Sequence, residues 1–220
     1  MASLTAHGLG CKAEQVLVAS TGVIGRPLPM AVLETGIPKA VAAANAGSES
    51  FNDAAHAILT TDTRIKVSLR QNGVFTVAGI AKGAAMIGPN MATMLGFILT
   101  DAPVSETDLH SVLKAAVDAS FNSISVEGHM STNDTVFLLA NGSRPKLAGH
   151  ALADFRDAVY AVCSELARAI AADAEGAQHL VTIDVEGTRT DHEARQIAKT
   201  IAESALRSEE HTSELQSPYV

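Results

Sequence analysis

Cysteine is scarce in this chain of 220 residues: only Cys11 and Cys163 occur, far apart and without a CxxC pair. A reducing, cytosolic setting is the expectation. Cys163 falls within a helical pattern and reads as a small core residue. Long apolar runs are also missing. No stretch of 18 apolar residues exists, so no transmembrane helix is expected. The opening Met-Ala-Ser-Leu-Thr-Ala-His7 has neither the basic region nor the long apolar region of a signal peptide. Basic runs longer than two residues are absent and the net charge is −8, which argues against a nucleic-acid surface. Neither a GxGxxG nor a Walker A pattern appears, so no nucleotide cofactor is indicated. The eight histidines form no HxxxH pair and have no cysteine at ligand spacing, so no metal is expected. Ser111-Val-Leu-Lys114 matches an S-x-x-K pattern, but it falls mid-helix with no K-T-G after it, and it is set aside.

What is present is a large apolar fraction, 47% of the residues, enough to bury a core. Gln15-Val-Leu-Val-Ala-Ser20 reads as a strand ending in a turn at Thr21-Gly22. Pro27 and Pro29 open an Ala-rich helix that Gly47 ends, and residues 51–59 read as another. Ile65-Lys-Val-Ser-Leu69 alternates with period two. Asn72-Gly73 then suggests a type I′ hairpin turn before a strand Val74-Phe-Thr-Val77. Ser105-Glu-Thr-Asp108 has the form of a capping box at a helix start. Residues 131–139 read as a strand after a polar loop. Phe155, Val159, Val162, Leu166 and Ile170 stand at helical spacing. Leu180-Val-Thr-Ile-Asp-Val185 reads as a strand, and Asp191 as the cap of a last helix. Strands and helices interleave without a strict βαβ repeat, so the expected class is α+β in layers.

One stretch carries chemistry. In Lys82-Gly through Asn90-Met-Ala-Thr-Met-Leu95, Thr93 follows small Ala92 in an otherwise apolar run after a glycine-rich, cationic approach. A threonine hydroxyl is a poor nucleophile without an adjacent base. An N-terminal threonine has one, because an α-amine titrates near ~7.7–8. Thr93 therefore reads either as a residue that attacks its own preceding peptide bond and then acts as a nucleophile, or as an ordinary buried threonine. Lys82 could bring an ammonium to such a site or be a solvated hairpin-end lysine. Ser20-Thr-Gly22 could aim a hydroxyl and an N–H at an oxyanion or be a plain turn. Thr60-Thr-Asp-Thr63 could bind a polar substrate or cap a turn, and Ser131-Thr-Asn-Asp-Thr135 could support the site or form a turn. Glu175 could hold a substrate ammonium or be a solvated loop residue.

Taken together, these segments resemble the bifunctional ornithine acetyltransferase/glutamate N-acetyltransferase (N-acetylglutamate synthase) family of arginine biosynthesis. The matching stretches are Ser20 to Met30, Thr60 to Thr63, Lys82 through Pro89-Asn-Met-Ala-Thr-Met-Leu95 to Asp101, Ser131 to Thr135, and Glu175-Gly-Ala177. The resemblance covers about Val16 to Leu206. It implies a layered α+β fold of the ornithine acetyltransferase type, similar to the DmpA-like aminopeptidases and to N-terminal nucleophile enzymes. It implies self-cleavage between Ala92 and Thr93, giving an α chain that ends at residue 92 and a β chain that starts at 93. Thr93 would then carry the acetyl group from N2-acetyl-L-ornithine to L-glutamate. Thr21 and Gly22 match the oxyanion-hole pair. Lys82, Thr93, Glu175 and one threonine of residues 60–63, here Thr60 with Thr61 as the alternative, match substrate-binding positions. The resemblance further implies a cytoplasmic heterotetramer of α and β chains, no cofactor, and acetyl-CoA as an alternative donor in some members.

The chain departs from the family pattern at Ala85, where glycine is usual, in Glu127-Gly-His-Met130, and at Gln178-His179. Residues 207–220 resemble a translated adapter and are expected to be a non-native tail. Residues 1–206 are expected to be part of a longer domain. Two rival readings stay open: an autoprocessing N-terminal-threonine amidohydrolase or aminopeptidase, and an inactive piece that only assembles.

Overall fold

A computed structural model describes residues 1–23, 25–45, 47–84, 93–126, 131–144, 147 and 150–204. At its centre is a four-stranded sheet in the order β1-β2-β3-β4, formed by Lys66–Gln71, Thr76–Lys82, Leu95–Thr100 and Thr135–Ala140. The first three strands are antiparallel neighbours, and β3 pairs parallel to β4. A parallel pair needs a crossover, and the helix α4 (Glu106–Asp118) lies within this one. The other α-helices among the described residues are α1 (Ala2–Leu9), α2 (Met30–Ala43), α3 (Ser48–Ala57), α5 (Ala151–Ala172) and α6 (Asp191–Ala202). This is the α+β layering expected from the sequence.

The long helix α5 organises the core. Its apolar stripe of Phe155, Val159, Val162, Leu166 and Ile170 is buried along its whole length against β1 and β2. Each such side chain contributes about 1.5–3 kcal/mol when fully buried. Phe75 meets Phe155 edge to face, with ring centroids 5.5 Å apart. Gly79 on β2 permits this close approach, because a Cβ there would sit 2.6 Å from Val162 Cγ1. α4 packs beside α5 and starts where expected, with Ser105 Oγ accepting from Asp108 N–H.

Strand alternation is present in β1, but its sense is unusual. Lys66 and Ser68 face inward and are buried, while Val67 and Leu69 are exposed at 41% and 56%. The inward polar side chains have partners on α5 and just after it: Ser68 Oγ donates to Glu165 Oε2, and Lys66 Nζ to Asp173 Oδ2. The outer face of the sheet also shows Leu99 and Leu139, both more than a third exposed.

Several local expectations are corrected. Residues 15–20 do not form a strand: Ala13–Gln15 make a 3-10 turn, and Leu17 and Val18 are exposed with no ladder partner among the described residues. Residues 180–185 are likewise irregular, with Leu180 and Val181 exposed. A β-rich run becomes a strand only where another edge supplies its hydrogen bonds. The hairpin closes through four residues, not a two-residue type I′ turn. Asn72 Oδ1 accepts from the N–H groups of Val74 and Phe75, only Gly73 takes a positive φ (82°), and β2 begins at Thr76 rather than Val74. This side-chain-capped turn is an asparagine alternative to the primed turn. The cap of α6 is Thr190, one residue earlier than expected, whose hydroxyl accepts from Glu193 N–H.

Candidate active site

The site forms where β2 ends and β3 begins. The register pairs Lys82, the last residue of β2, with Leu95, the first of β3, so Thr93 stands two residues ahead of β3 and close to Lys82. Thr93 is buried, at 2% exposure. The segment after residue 15 brings in Thr21. Its Oγ1 accepts from Lys82 Nζ at 3.2 Å and from the Thr93 N–H at 3.4 Å. Two donors thus occupy the oxygen's acceptor capacity, and the hydroxyl hydrogen is left for a third partner.

The polar turn before β4 closes the other side. Thr93 Oγ1 lies 3.0 Å from Ser131 Oγ, and Asp134 Oδ1 accepts from the Met94 N–H at 2.8 Å. Met94 O in turn accepts from Thr135 N–H, so the start of β4 grips residues 93 and 94 through side chain and backbone alike. A cleft of about 310 Å³ opens beside this cluster, lined among others by Ser20, Thr21, Gly22, Thr93, Ser131 and Asn133. That is at the lower end of the ~300–1,000 Å³ usual for small-molecule sites. The exposed Arg26 sets a cation at its margin.

Lys82 is fully enclosed, so the reading of it as a solvated hairpin-end residue is overturned. Burial pushes its ammonium below the ordinary lysine range, and the nearby Lys66 adds to this; the carboxylates of Asp62 and Asp134 act in the opposite sense without cancelling it. Asp62 is itself enclosed. Burial raises its carboxyl, but the Lys66 ammonium and the N–H groups of Gly83 and Thr60 together hold it below the usual carboxylate range.

The other expected site residues are more scattered. Gly22 is exposed and lines the cleft. Thr60 is exposed in the turn after α3, with its N–H donated to Asp62 Oδ2. Glu175 is exposed, and its N–H donates to Ala84 O at 2.8 Å, which places its backbone against the end of the Lys82 segment. Ala92, Ala85, residues 127–130 and the tail expected at 207–220 lie outside the described residues.

The ArgJ family model matches residues 1–208. The chain belongs to the ArgJ family. Over 212 residues it is 46% identical to the arginine biosynthesis bifunctional protein ArgJ of Geobacter sulfurreducens, a match covering 93% of this chain and 53% of that protein. It is 49% identical over 209 residues to the protein of the same name from Synechococcus, covering 91% of this chain and 50% of the other. A crystal structure of arginine biosynthesis bifunctional protein ArgJ from Bacillus halodurans is 37% identical over 50% of this chain and 54% of that one, with a TM-score of 0.48. The chain spans about half the length of the curated relatives it matches.

Within this ArgJ-family chain, two charged groups near the site, Lys66 and Asp173, escaped sequence reasoning. Lys66 stood only within an alternating strand run, and Asp173 was not singled out. Ser131 stood out only as one hydroxyl in a polar loop. The one available signal was the inverted alternation of β1, where a lysine and a serine occupy inward positions and so demand polar partners. No helix among the described residues is long and apolar enough to cross a membrane.

Proposed function

We propose that this chain contains the nucleophilic half-site of an enzyme that moves an acetyl group from N2-acetyl-L-ornithine to L-glutamate in arginine biosynthesis. The observation that carries the proposal is the convergence on Thr93: a buried hydroxyl beside Ser131 Oγ, with its own N–H and the Lys82 ammonium both directed at Thr21 Oγ1. In the first step, Thr93 Oγ attacks the carbonyl carbon of Ala92. The Ala92–Thr93 C–N bond breaks, the nitrogen takes up a proton, and water hydrolyses the resulting ester. The freed α-amine then serves as the built-in base. Thr93 Oγ next attacks the donor's acetyl carbonyl and gives its proton to that amine. The acetyl–nitrogen bond breaks and ornithine leaves with the proton. Glutamate's amine attacks the acetyl ester, restoring the Thr93 hydroxyl and releasing N-acetylglutamate. Thr21 O–H and Gly22 N–H stabilise the oxyanion in both acyl steps.

Lys82, Glu175 and Thr60 act in substrate binding, with Thr61 the alternative to Thr60. No cofactor or metal enters the scheme, and acetyl-CoA is a candidate second donor. The working form is a cytoplasmic assembly of α and β chains. Intact-mass measurement tests the proposal. The protein should split at Ala92–Thr93, and the part starting at Thr93 should gain one acetyl mass on mixing with the donor. Thr93→Ala should show neither change. Acetyl transfer by an uncleaved Thr93→Ala chain would reject the scheme, and release of free acetate with no transfer to glutamate would favour an amidohydrolase.

A further inference from the structure

The acetyl-transfer scheme leaves one buried charged group unused. Lys66 Nζ donates to Asp62 Oδ1 at 2.6 Å and to Asp173 Oδ2 at 2.7 Å. The side chains of Lys66 and Asp62 are fully enclosed and that of Asp173 nearly so. A buried ion triad is by itself weak evidence for stability, since desolvation opposes the attraction. What the carboxylates hold besides the ammonium is therefore the informative part.

They hold backbone from separate parts of the chain. Asp62 accepts from Gly83 N–H at 2.7 Å and from Thr60 N–H at 3.3 Å. Asp173 accepts from Thr63 N–H at 3.0 Å and from the Thr63 hydroxyl. Two residues beyond Asp173, Glu175 N–H returns to Ala84 O. The segments 60–66, 82–84 and 173–175 thus close into a ring of hydrogen bonds around one ammonium. These segments carry Thr60, Lys82 and Glu175. We infer that Lys66, clasped by Asp62 and Asp173, is a positioning hub that fixes these three segments relative to one another. Its link to catalysis rests on the substrate-binding roles proposed above; its hold on the segments does not. Because Gly83 follows Lys82 directly, the hub also sets where the Lys82 ammonium meets Thr21.

Asp173→Asn tests the hub. Asparagine keeps the shape and one acceptor oxygen, and Lys66 keeps Asp62. Hydrogen exchange read by mass spectrometry should show lost protection in all three segments together. Faster exchange confined to residues 173–176, or none at all, would overturn the inference. Thr63→Val, which removes one hydrogen bond at an exposed residue, should loosen the same three segments to a lesser degree, and it decides the matter if the first variant does not fold. With cleavage at Thr93 retained, kcat/KM for transfer should fall by up to ~10²-fold, mainly through KM, as displaced binding groups do. An unchanged KM beside lost protection would detach Thr60, Lys82 and Glu175 from substrate binding. If the parent protein transfers no acetyl group, the proposed function falls while the exchange pattern still decides the hub.

Discussion

Replacing Thr21 by valine removes one hydroxyl and preserves shape, so its consequences can be followed bond by bond. The oxygen accepts from Lys82 Nζ at 3.2 Å and from Thr93 N–H at 3.4 Å. A bond from a charged donor is worth about 1.5–3 kcal/mol and one from a neutral amide about 0.5–1.5 kcal/mol, so their joint loss costs about 2–4.5 kcal/mol. Both are at the long end of hydrogen-bond distances, which favours the lower figure. The kinetic effect has a different origin. The hydroxyl hydrogen is the group proposed to meet the oxyanion, and loss of one such donor slows catalysis by ~10²–10³-fold. Stability and rate are therefore measured separately, by urea unfolding of the purified variant and by single-turnover acetyl transfer alongside a mass time course of cleavage. The expected result is a folded, modestly weakened protein in which transfer is slowed by orders of magnitude. A folded variant that transfers acetyl at the parent rate would remove Thr21 from the oxyanion site.

Other consequences follow from single features of the structure. Gly79→Ala would place a Cβ 2.6 Å from Val162 Cγ1 and 2.8 Å from Leu166 Cδ1; urea titration should show a loss of ~1–3 kcal/mol from overpacking. Asp62 and Asp173 both have carboxyls held below their ordinary value: burial raises each, but their hydrogen bonds and the Lys66 charge outweigh it. Their contribution to stability is therefore full above that value and is lost as pH falls through the lower, folded-state pKa. Melting curves at falling pH should accordingly show a smaller acid-induced drop in Asp173→Asn than in the parent. Burial pushes the Cys163 thiol up to about 12 while Cys11 is exposed. A thiol reagent at mild pH should label Cys11 in the native protein and reach Cys163 only after denaturation.

Much of the architecture was legible in the residues because it depends on local spacing. The α5 stripe at 155, 159, 162, 166 and 170 is one helix face, and burial of that face follows from its period alone. Ser105 announced the start of α4 because a hydroxyl at that offset has an N–H to accept. The same kind of reading failed at residues 15–20 and 180–185. Strand propensity there is real, but a strand exists only through hydrogen bonds to a neighbour. The cap at Thr190 and the side-chain turn at Asn72 went to nearby residues of similar chemistry, where several oxygens compete for the same N–H groups.

The order of the residues by itself singled out Thr93 with small Ala92 before it, supplied the polar segments around Thr21, Ser131 and Glu175, and marked the helices after residue 27 but not α1. Only the tertiary structure decided that Lys82 is enclosed and not solvated, that it shares Thr21 Oγ1 with the Thr93 N–H, and that Lys66 joins Asp62 to Asp173 across more than a hundred residues. The physical reason is that a charge has no periodicity to betray its partner: which carboxylate meets a lysine is settled by how strands and helices pack, and by the need to pair every charge that packing removes from water.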